Sequence, residues 1–387
     1  MRLLLCLLAA AVAACDASPL AGGDTPFIYA TSGTDTAVDL VQIPSGDLVV
    51  VGSTEGAPRP ADGTLARPSV LRFRLDGELA SAEVYRDVDY GDVESVAWSR
   101  EGLVVALSAG PDGQGDRTVG VYRAGENGER TETLLERREG FMPRGALVAS
   151  SDGGVTAAVT PGATGDQVYR FSAAGDAVWS VRLPGVQDVR QLAAAPGGDV
   201  YAAGPGSEGW VIARLDGETG AERWRRSRPH VDVQGIAATA DGLAVLELAS
   251  LDDRSQELRV AALGTGGQDR GTQGVDRVGA PADGDEATRR IWGQAIAALP
   301  RGGIALAVGE GDGGFATPPR VTLVVLAPDG SERSRARFGV EGRWASAASV
   351  LPLADGRVAV AGSVGPTQIS GYGGDDFDIW VTLYDLD

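Results

Sequence analysis

A short repeated motif constrains the fold of this chain more than any other feature. In each copy a glycine-containing turn is followed at once by a short apolar strand, as where Pro44–Asp47 precedes Leu48–Val51. The seven turn glycines are Gly46, Gly102, Gly153, Gly198, Gly242, Gly302 and Gly356. Their spacing varies from 44 to 60 residues. A fixed core with variable spacing predicts repeated units that differ in their loops.

Each copy contains four strand-like runs separated by Gly, Asp and Pro. In the first copy these runs are Ala37–Ile43, Leu48–Gly52, Ser69–Leu75 and Leu79–Tyr85, the last two joined by a turn at Gly77. The same second turn returns at Gly128, Gly175, Gly220 and Gly330. Four antiparallel strands in each 40–50 residues are typical of a propeller blade. The sequence therefore predicts an all-β, seven-bladed β-propeller.

The two ends of the repeat region are complementary. The seventh copy stops at its third strand, Ile379–Tyr384, whereas Pro26–Ala30 forms an extra strand before the first copy. We expect the N-terminal strand to become the outer strand of the last blade, because this closes the ring and leaves no open end. The alternative is a stray N-terminal strand and a frayed last blade.

The first fifteen residues have the pattern of an export signal. One arginine, Arg2, precedes an apolar run from Leu3 to Ala14, which is too short for a membrane-spanning helix. The string Val12-Ala13-Ala14-Cys15 resembles the lipobox of bacterial lipoproteins, in which the cysteine is acylated. We expect a signal peptide at 1–14, a lipidated tether at 15–25 and a propeller at 26–387. The alternative is an ordinary secretory signal with Cys15 as a spare thiol.

Composition restricts partners and cofactors. The net charge of −19 argues against nucleic acid as a partner. The only other cysteine, Cys6, lies within the predicted signal peptide, so we expect neither disulfides nor thiolate zinc sites in the mature chain. We predict an exported monomer anchored to the cell envelope, at the periplasmic side of the outer membrane or at the cell surface.

Three segments of the repeats resemble known families. The segment from Asp39 to Thr54 and the ending Gly374–Val381 look like repeats of secreted bacterial propellers, and Ala213–Trp224 resembles the repeat of the pyrroloquinoline-quinone-like propellers. The resemblance implies the architecture over residues 26–387. Quinone-dependent dehydrogenases usually have eight blades, a bound calcium and often a disulfide of adjacent cysteines. This chain has seven copies and no pair of cysteines in the predicted mature chain, so the resemblance implies no quinone site here.

Few residues suggest catalysis. The only histidine, His230, is expected in an exposed connection between the fourth and fifth copies, and no nucleophile motif accompanies it. The seven tryptophans are spread about one per copy, which favours packing between blades. We therefore predict no catalytic and no cofactor-binding residue.

Acidic residues are frequent in the segments that a propeller would present on one face. The possible partner-binding set is Asp87, Asp89, Asp92, Glu94, Asp283 and Asp285, with further carboxylates at Asp252, Asp253, Glu286, Glu310 and Asp312. Weaker candidates for a Ca²⁺ site are Asp112, Asp116, Asp375, Asp376 and Asp378. A solvated acidic face without metal is the alternative, and such a face suits a cationic partner.

Arginines cluster on the predicted outer strands, where charge blocks pairing with another chain. They are Arg137, Arg138, Arg223, Arg225, Arg226, Arg333, Arg335 and Arg337. By contrast, residues 264–290 are expected to form a long irregular insertion. The combined prediction is a non-catalytic binding or scaffold propeller that recognises an envelope protein or polysaccharide through its acidic loops. The alternative is a cofactor-dependent or glycan-cleaving enzyme.

Overall fold

The computed structural model describes residues 26–30, 34–54, 67–86, 91–109, 118–141, 147–161, 167–251, 255–278, 289–312, 320–338, 343–365 and 377–386. Within these ranges the chain forms strands and turns only. It follows that no helix of the described ranges is long and apolar enough to span a bilayer. The strands form seven antiparallel sheets. The predicted seven-bladed, all-β propeller is confirmed.

Each blade is numbered here in chain order, with its first strand innermost and its fourth outermost. Blade 1 contains Asp35–Gln42, Leu48–Thr54, Arg67–Phe73 and Leu79–Val84; blade 2 contains Gly91–Ser99, Gly102–Ala109, Thr118–Ala124 and Arg130–Phe141, with Thr160–Pro161 added at its edge. Blade 3 contains Leu147–Ala149, Val155–Ala158, Val168–Phe171 and Ala177–Val181; blade 4 contains Gln191–Ala194, Val200–Gly206, Gly209–Leu215 and Glu222–Arg228. Blade 5 contains Val231–Thr239, Gly242–Ser250, Gln256–Gly264 and Asp269–Val278; blade 6 contains Arg289–Ala298, Ile304–Asp312, Arg320–Leu326 and Glu332–Phe338. Blade 7 contains Trp344–Pro352, Val358–Gly365, Asp378–Tyr384 and the N-terminal Phe27–Tyr29.

The ring is closed as predicted. Phe27–Tyr29 pairs antiparallel with Asp378–Tyr384, with Phe27 opposite Val381 and Tyr29 opposite Ile379. The first strands of consecutive blades contact one another around the whole ring, including those of blades 7 and 1. The first and last strands of the chain therefore lie side by side in one sheet.

The repeated glycines are required by backbone conformation. All seven glycines of the first turns have positive φ, from +82° at Gly302 to +151° at Gly242. This region of conformational space is accessible to glycine at little cost and strained for other residues. The motif that organises the sequence is thus the turn that reverses the chain between first and second strands.

The predicted insertion at 264–290 is wrong for its first half. Asp269–Val278 forms the complete fourth strand of blade 5 and pairs with Gln256–Gly264. The turn between them is at Gly267, with φ of +78°. An outer strand packs little against the core, so it needs no apolar alternation, and its residues through Gln273 are exposed. Residues 279–288 lie outside the described residues.

The hydrophobic core lies between blades. Second strands are buried along much of their length, as in Leu48–Thr54, whereas fourth strands such as Asp269–Val278 are mostly exposed. The apolar clusters combine side chains of neighbouring blades: Val49 and Val51 of blade 1 pack with Val96 and Val105 of blade 2. Each blade is therefore stabilised by its two neighbours.

Candidate functional site

The topology gives the ring two distinct faces. Connections from second to third strands, and from one blade to the next, emerge at one face, which we call the loop face. Turns from first to second and from third to fourth strands emerge at the other, which we call the turn face. Eleven connections of the loop face contain residues outside the described ranges, whereas the turns of the turn face are described.

The structure places only part of the predicted acidic set. Asp87, Asp89, Asp112, Asp116, Asp252, Asp253, Asp283, Asp285, Glu286, Asp375 and Asp376 lie outside the described residues. The others belong to strands and not to loops, which corrects the sequence prediction. Asp92 and Glu94 are in the first strand of blade 2, Glu310 and Asp312 in the second strand of blade 6, and Asp378 in the third strand of blade 7. These strands extend further towards the loop face than the sequence pattern indicated.

Three of the described carboxylates near this face are engaged in internal contacts. Glu94 is only 9% exposed, and the Ser108 hydroxyl donates a hydrogen bond of 2.5 Å to its Oε1. The Arg343 guanidinium lies 2.9 Å from Asp378 Oδ2, and the Thr322 hydroxyl 3.0 Å from Glu310 Oε1. These three carboxylates fix strand ends, so a partner would have to meet the carboxylates of the connections themselves.

The described part of the chain contains little of the metal prediction. There, no group of three or more His, Cys, Asp or Glu side chains converges as a metal site would require. Asp378 is the one described candidate, and its carboxylate is paired with Arg343. Because the other candidates lie outside the described residues, binding of Ca²⁺ by Asp112, Asp116, Asp375 and Asp376 stays a prediction.

One fully buried carboxylate at this end of the blades joins blades 4 and 5. Glu247 is 0% exposed and accepts bonds from Arg228 Nε at 2.6 Å and from Arg259 Nε at 3.1 Å. Arg228 also contacts Asp269 at 2.8 Å. Burial opposes the charge on Arg228, but the bonds to Glu247 and Asp269 hold its pKa above the usual value. The buried charge of Glu247 is therefore paired with arginines of both blades, and the network links blade 4 to blade 5.

A second carboxylate, Asp39, is partly buried and lies on the inner wall of the ring. Its oxygens accept hydrogen bonds from the Ser95 hydroxyl at 2.7 Å and the Val96 amide at 3.1 Å in blade 2, and from the Ser349 hydroxyl at 3.1 Å in blade 7. Burial raises the pKa of Asp39, and the hydrogen bonds partly offset that rise. Asp39 thus ties blade 1 to both of its neighbours.

An arginine repeat was missed in the sequence. Arg72, Arg123, Arg170 and Arg214 occupy one register position in the third strands of blades 1–4, directly opposite the fourth-strand residues Ser81, Glu132, Trp179 and Trp224. Arg214 illustrates their contacts: it pairs with Asp199 at 2.7 Å and donates to the Thr265 carbonyl of blade 5 at 2.7 Å. Aligning the copies on their second turns would have revealed this pattern. The same position holds Ala262 in blade 5 and Val325 in blade 6.

Two tryptophans confirm the prediction of packing between blades. Trp179 of blade 3 donates its indole N–H to the Gly217 carbonyl of blade 4 at 3.0 Å. Trp224 of blade 4 makes the equivalent bond to the Thr265 carbonyl of blade 5 at 2.8 Å. Their rings also cover the positive-φ glycines of those turns, Gly220 and Gly267. A large side chain of one blade therefore docks on the third-to-fourth turn of the next.

This arrangement breaks down between blades 5 and 6. The residue at the position of Trp179 and Trp224 is Gly271, which lies opposite Ala262. A cavity of about 460 Å³ opens there on the turn face. Its lining includes the first turns of both blades, the outer strand of blade 5 and the Ala327–Gly330 turn of blade 6.

His230 and the outer-strand arginines lie where the sequence predicted. His230 is exposed in the connection between blades 4 and 5, with φ of +58°. The eight arginines belong to the fourth strands of blades 2, 4 and 6. Several also bridge blades: Arg226 donates to the Gly267 carbonyl at 2.8 Å and Arg335 to the Val275 carbonyl at 3.1 Å. They therefore contribute to cohesion of the ring as well as to charge at blade edges.

Comparisons with known proteins support the architecture. No protein-family model and no curated protein matches the sequence. The chain is similar in structure to the RRP9 WD40 repeats (TM-score 0.56, 13% identity, covering 93% of this chain and 99% of that one). It is also similar to a Kuenenia stuttgartiensis hydrazine synthase chain (0.54, 14%, 86% and 92%) and to the Dos1 propeller (0.52, 10%, 93% and 94%). At these identities the likeness shows that the chain has a β-propeller fold.

Proposed function

We propose that this protein is a non-catalytic binding or scaffold module that acts through its loop face. The observation that carries the proposal is the charge of that face. Its eleven connections outside the described ranges contain fifteen Asp and Glu residues against four Arg. Glu94 and Asp378, which lie beside them, have internal partners, so the proposal rests on the carboxylates of the connections.

A face of this kind recognises a cationic partner. Carboxylates concentrated on one side of a closed ring attract positive groups over several ångströms and accelerate encounter more than they tighten the final complex. The partner class is a basic envelope protein or a polysaccharide with cationic groups. The net charge of −19 disfavours nucleic acid for the same reason.

The proposal includes export and lipidation at Cys15. In the closed ring, Phe27–Tyr29 runs from the turn face towards the loop face before the chain enters blade 1. The tether would therefore join the ring from the side of the turn face, and roughly ten residues span at most about 35 Å. This geometry orients the acidic loop face away from the membrane, towards partners in the surrounding compartment.

A retention experiment with matched charge variants tests the binding face. The mature chain would be immobilised and exposed to envelope extract, beside a variant with Asp87, Asp89, Asp283 and Asp285 changed to Asn. The control neutralises four carboxylates of the turn face: Glu101, Glu129, Asp176 and Glu218. We expect material retained by the native chain and the control to be lost from the loop-face variant. Equal retention by both variants would contradict the proposal.

Lipidation is tested separately. We expect Cys15→Ser to abolish incorporation of labelled fatty acid and to release the protein from the membrane fraction. A variant that still incorporates label would refute Cys15 as the acylation site without bearing on the loop face.

A further inference from the structure

The cavity between blades 5 and 6 has a defined cause in the sequence. At the preceding junction, Trp224 covers the turn of blade 5, and Arg214 lies beside it in the third strand. In blade 5 the equivalent residues are Gly271 and Ala262, which have almost no side chain. The space that an indole and a guanidinium fill between blades 4 and 5 is therefore open between blades 5 and 6.

The walls of the cavity suit an aromatic ring. Its floor is formed by buried apolar side chains, Leu243, Leu263, Ile304 and Leu326. Its outer wall includes Pro328, which occupies the turn position of Thr265, the residue whose carbonyl accepts the Trp224 N–H. Among the described residues, no donor bonds to the Pro328 carbonyl. The volume of about 460 Å³ lies within the range of protein ligand sites, 300–1,000 Å³.

Charged groups stand at the rim of the cavity. Asp241 belongs to blade 5 and Asp329 to blade 6, and Arg270 lies on the outer strand of blade 5. Within the described part of the chain none of the three takes part in an ion pair; Asp329 accepts hydrogen bonds from Ser331. Two carboxylates and one guanidinium leave the rim negative, so a cationic group would find uncompensated partners on both blades.

We propose that this cavity binds a tryptophan side chain of a partner polypeptide that carries basic residues beside the tryptophan. The indole takes the place that Trp224 occupies at the neighbouring junction and donates its N–H to the Pro328 carbonyl. The flanking basic groups pair with Asp241 and Asp329. The site lies on the turn face, so it is independent of the proposed loop-face function.

Short peptides provide the test on the complete mature chain. Titration with Lys-Trp-Lys, followed by the NMR signal of the Ile304 methyl group, is expected to saturate. Ala262→Arg restores the arginine of blades 1–4 and fills the cavity, so we expect affinity to fall at least about tenfold. Ala262→Leu fills it without charge and serves if the arginine variant unfolds. Ala80→Arg, at an exposed outer-strand position of blade 1, is the matched control and should bind as the native chain does.

Each alternative occupant gives a distinct result. Equal binding of Lys-Leu-Lys would show that the site does not select an aromatic ring, which overturns the proposal. Equal binding of N-acetyltryptophanamide would identify a site for a free small molecule and overturn the assignment to a polypeptide. Unchanged titration in both Ala262 variants would place the peptide elsewhere. We expect Asp241→Asn with Asp329→Asn to weaken Lys-Trp-Lys and leave N-acetyltryptophanamide unaffected.

Discussion

Two neighbouring junctions of the ring are built in different ways. Between blades 4 and 5, polar side chains of blade 4 cross to blade 5. The crossing contacts are Trp224 and Arg214 to the Thr265 carbonyl, Arg226 to the Gly267 carbonyl, and Arg228 to Glu247 and Asp269. Between blades 5 and 6, Arg335 of blade 6 donates to the Val275 carbonyl at 3.1 Å and lies 3.9 Å from Asp276 Oδ2.

The same register positions explain this contrast. Glu247 of blade 5 corresponds to Val308 of blade 6, because they pair with Val233 and Gly293 at equivalent places in their blades. The second junction is held by an apolar cluster that includes Leu246, Leu258 and Val308. Both junctions thus have a filled apolar core. At the edge of the core, the space is filled by side chains of the protein itself between blades 4 and 5 and is open between blades 5 and 6. The open edge is where a partner can enter.

The largest expected effect is at the junction between blades 7 and 1, where the two ends of the chain meet and close the ring. Phe27 of the N-terminal strand packs on Gly77 of blade 1, as Trp224 packs on Gly267. We expect deletion of Phe27–Ala30 to lower the free energy of unfolding by at least about 4 kcal/mol, because it removes a partly buried aromatic ring and a paired edge strand. Thermal or urea unfolding measures this. An unchanged melting temperature would show that closure contributes nothing.

The ion network at the junction of blades 4 and 5 should be next in size. Glu247→Gln leaves Arg228 and Arg259 without their buried counter-charge, which typically costs about 3–5 kcal/mol. The triple change Arg228→Met, Glu247→Leu and Arg259→Met should recover much of that loss, because Val308 shows that this register tolerates an apolar residue. Urea unfolding checks both. A loss below about 1 kcal/mol for Glu247→Gln would contradict the role of the network.

Removing the indole at the same junction should create a second cavity. We expect Trp224→Ala to destabilise the fold by about 2 kcal/mol, less than a fully buried tryptophan because its ring is partly exposed. Millimolar indole should raise the melting temperature of this variant by binding the native state. Gln273→Ala, which faces Gly330 across the next junction, is the control and should change stability by less than about 0.5 kcal/mol. Absence of rescue by indole would show that the two junctions are not equivalent in shape.

The sequence predicted the ring better than its surfaces. Turn glycines such as Gly46 and Gly302 are demanded by positive φ, so the blades could be counted directly. Asp269–Val278 was missed because an exposed outer strand has no apolar period. The position shared by Arg170 and Arg214 could have been detected by aligning the copies on their second turns. The cavity could not be predicted, because it results from two small residues on adjacent strands.

The inner wall extends the comparison and carries the smallest expected effect. Asp39 ties blades 7, 1 and 2 together, whereas the residues at its bulge position in blades 5 and 6 are Gly235 and Ala295. Burial raises the pKa of the Asp39 carboxyl above the ordinary aspartate value of 3.8. The native state therefore holds this proton more tightly than the unfolded chain does.

The sign of the pH dependence follows from that difference. The contribution of Asp39 to stability is fully present below the unfolded pKa and is lost as pH rises through the folded pKa. The ¹³C signal of the Asp39 carboxyl should titrate above pH 3.8, and Asp39→Asn should remove this part of the pH dependence of unfolding. A carboxyl that titrates below 3.8 would mean that the hydrogen bonds from Ser95, Val96 and Ser349 outweigh burial. The inner link would then stabilise the ionised carboxylate.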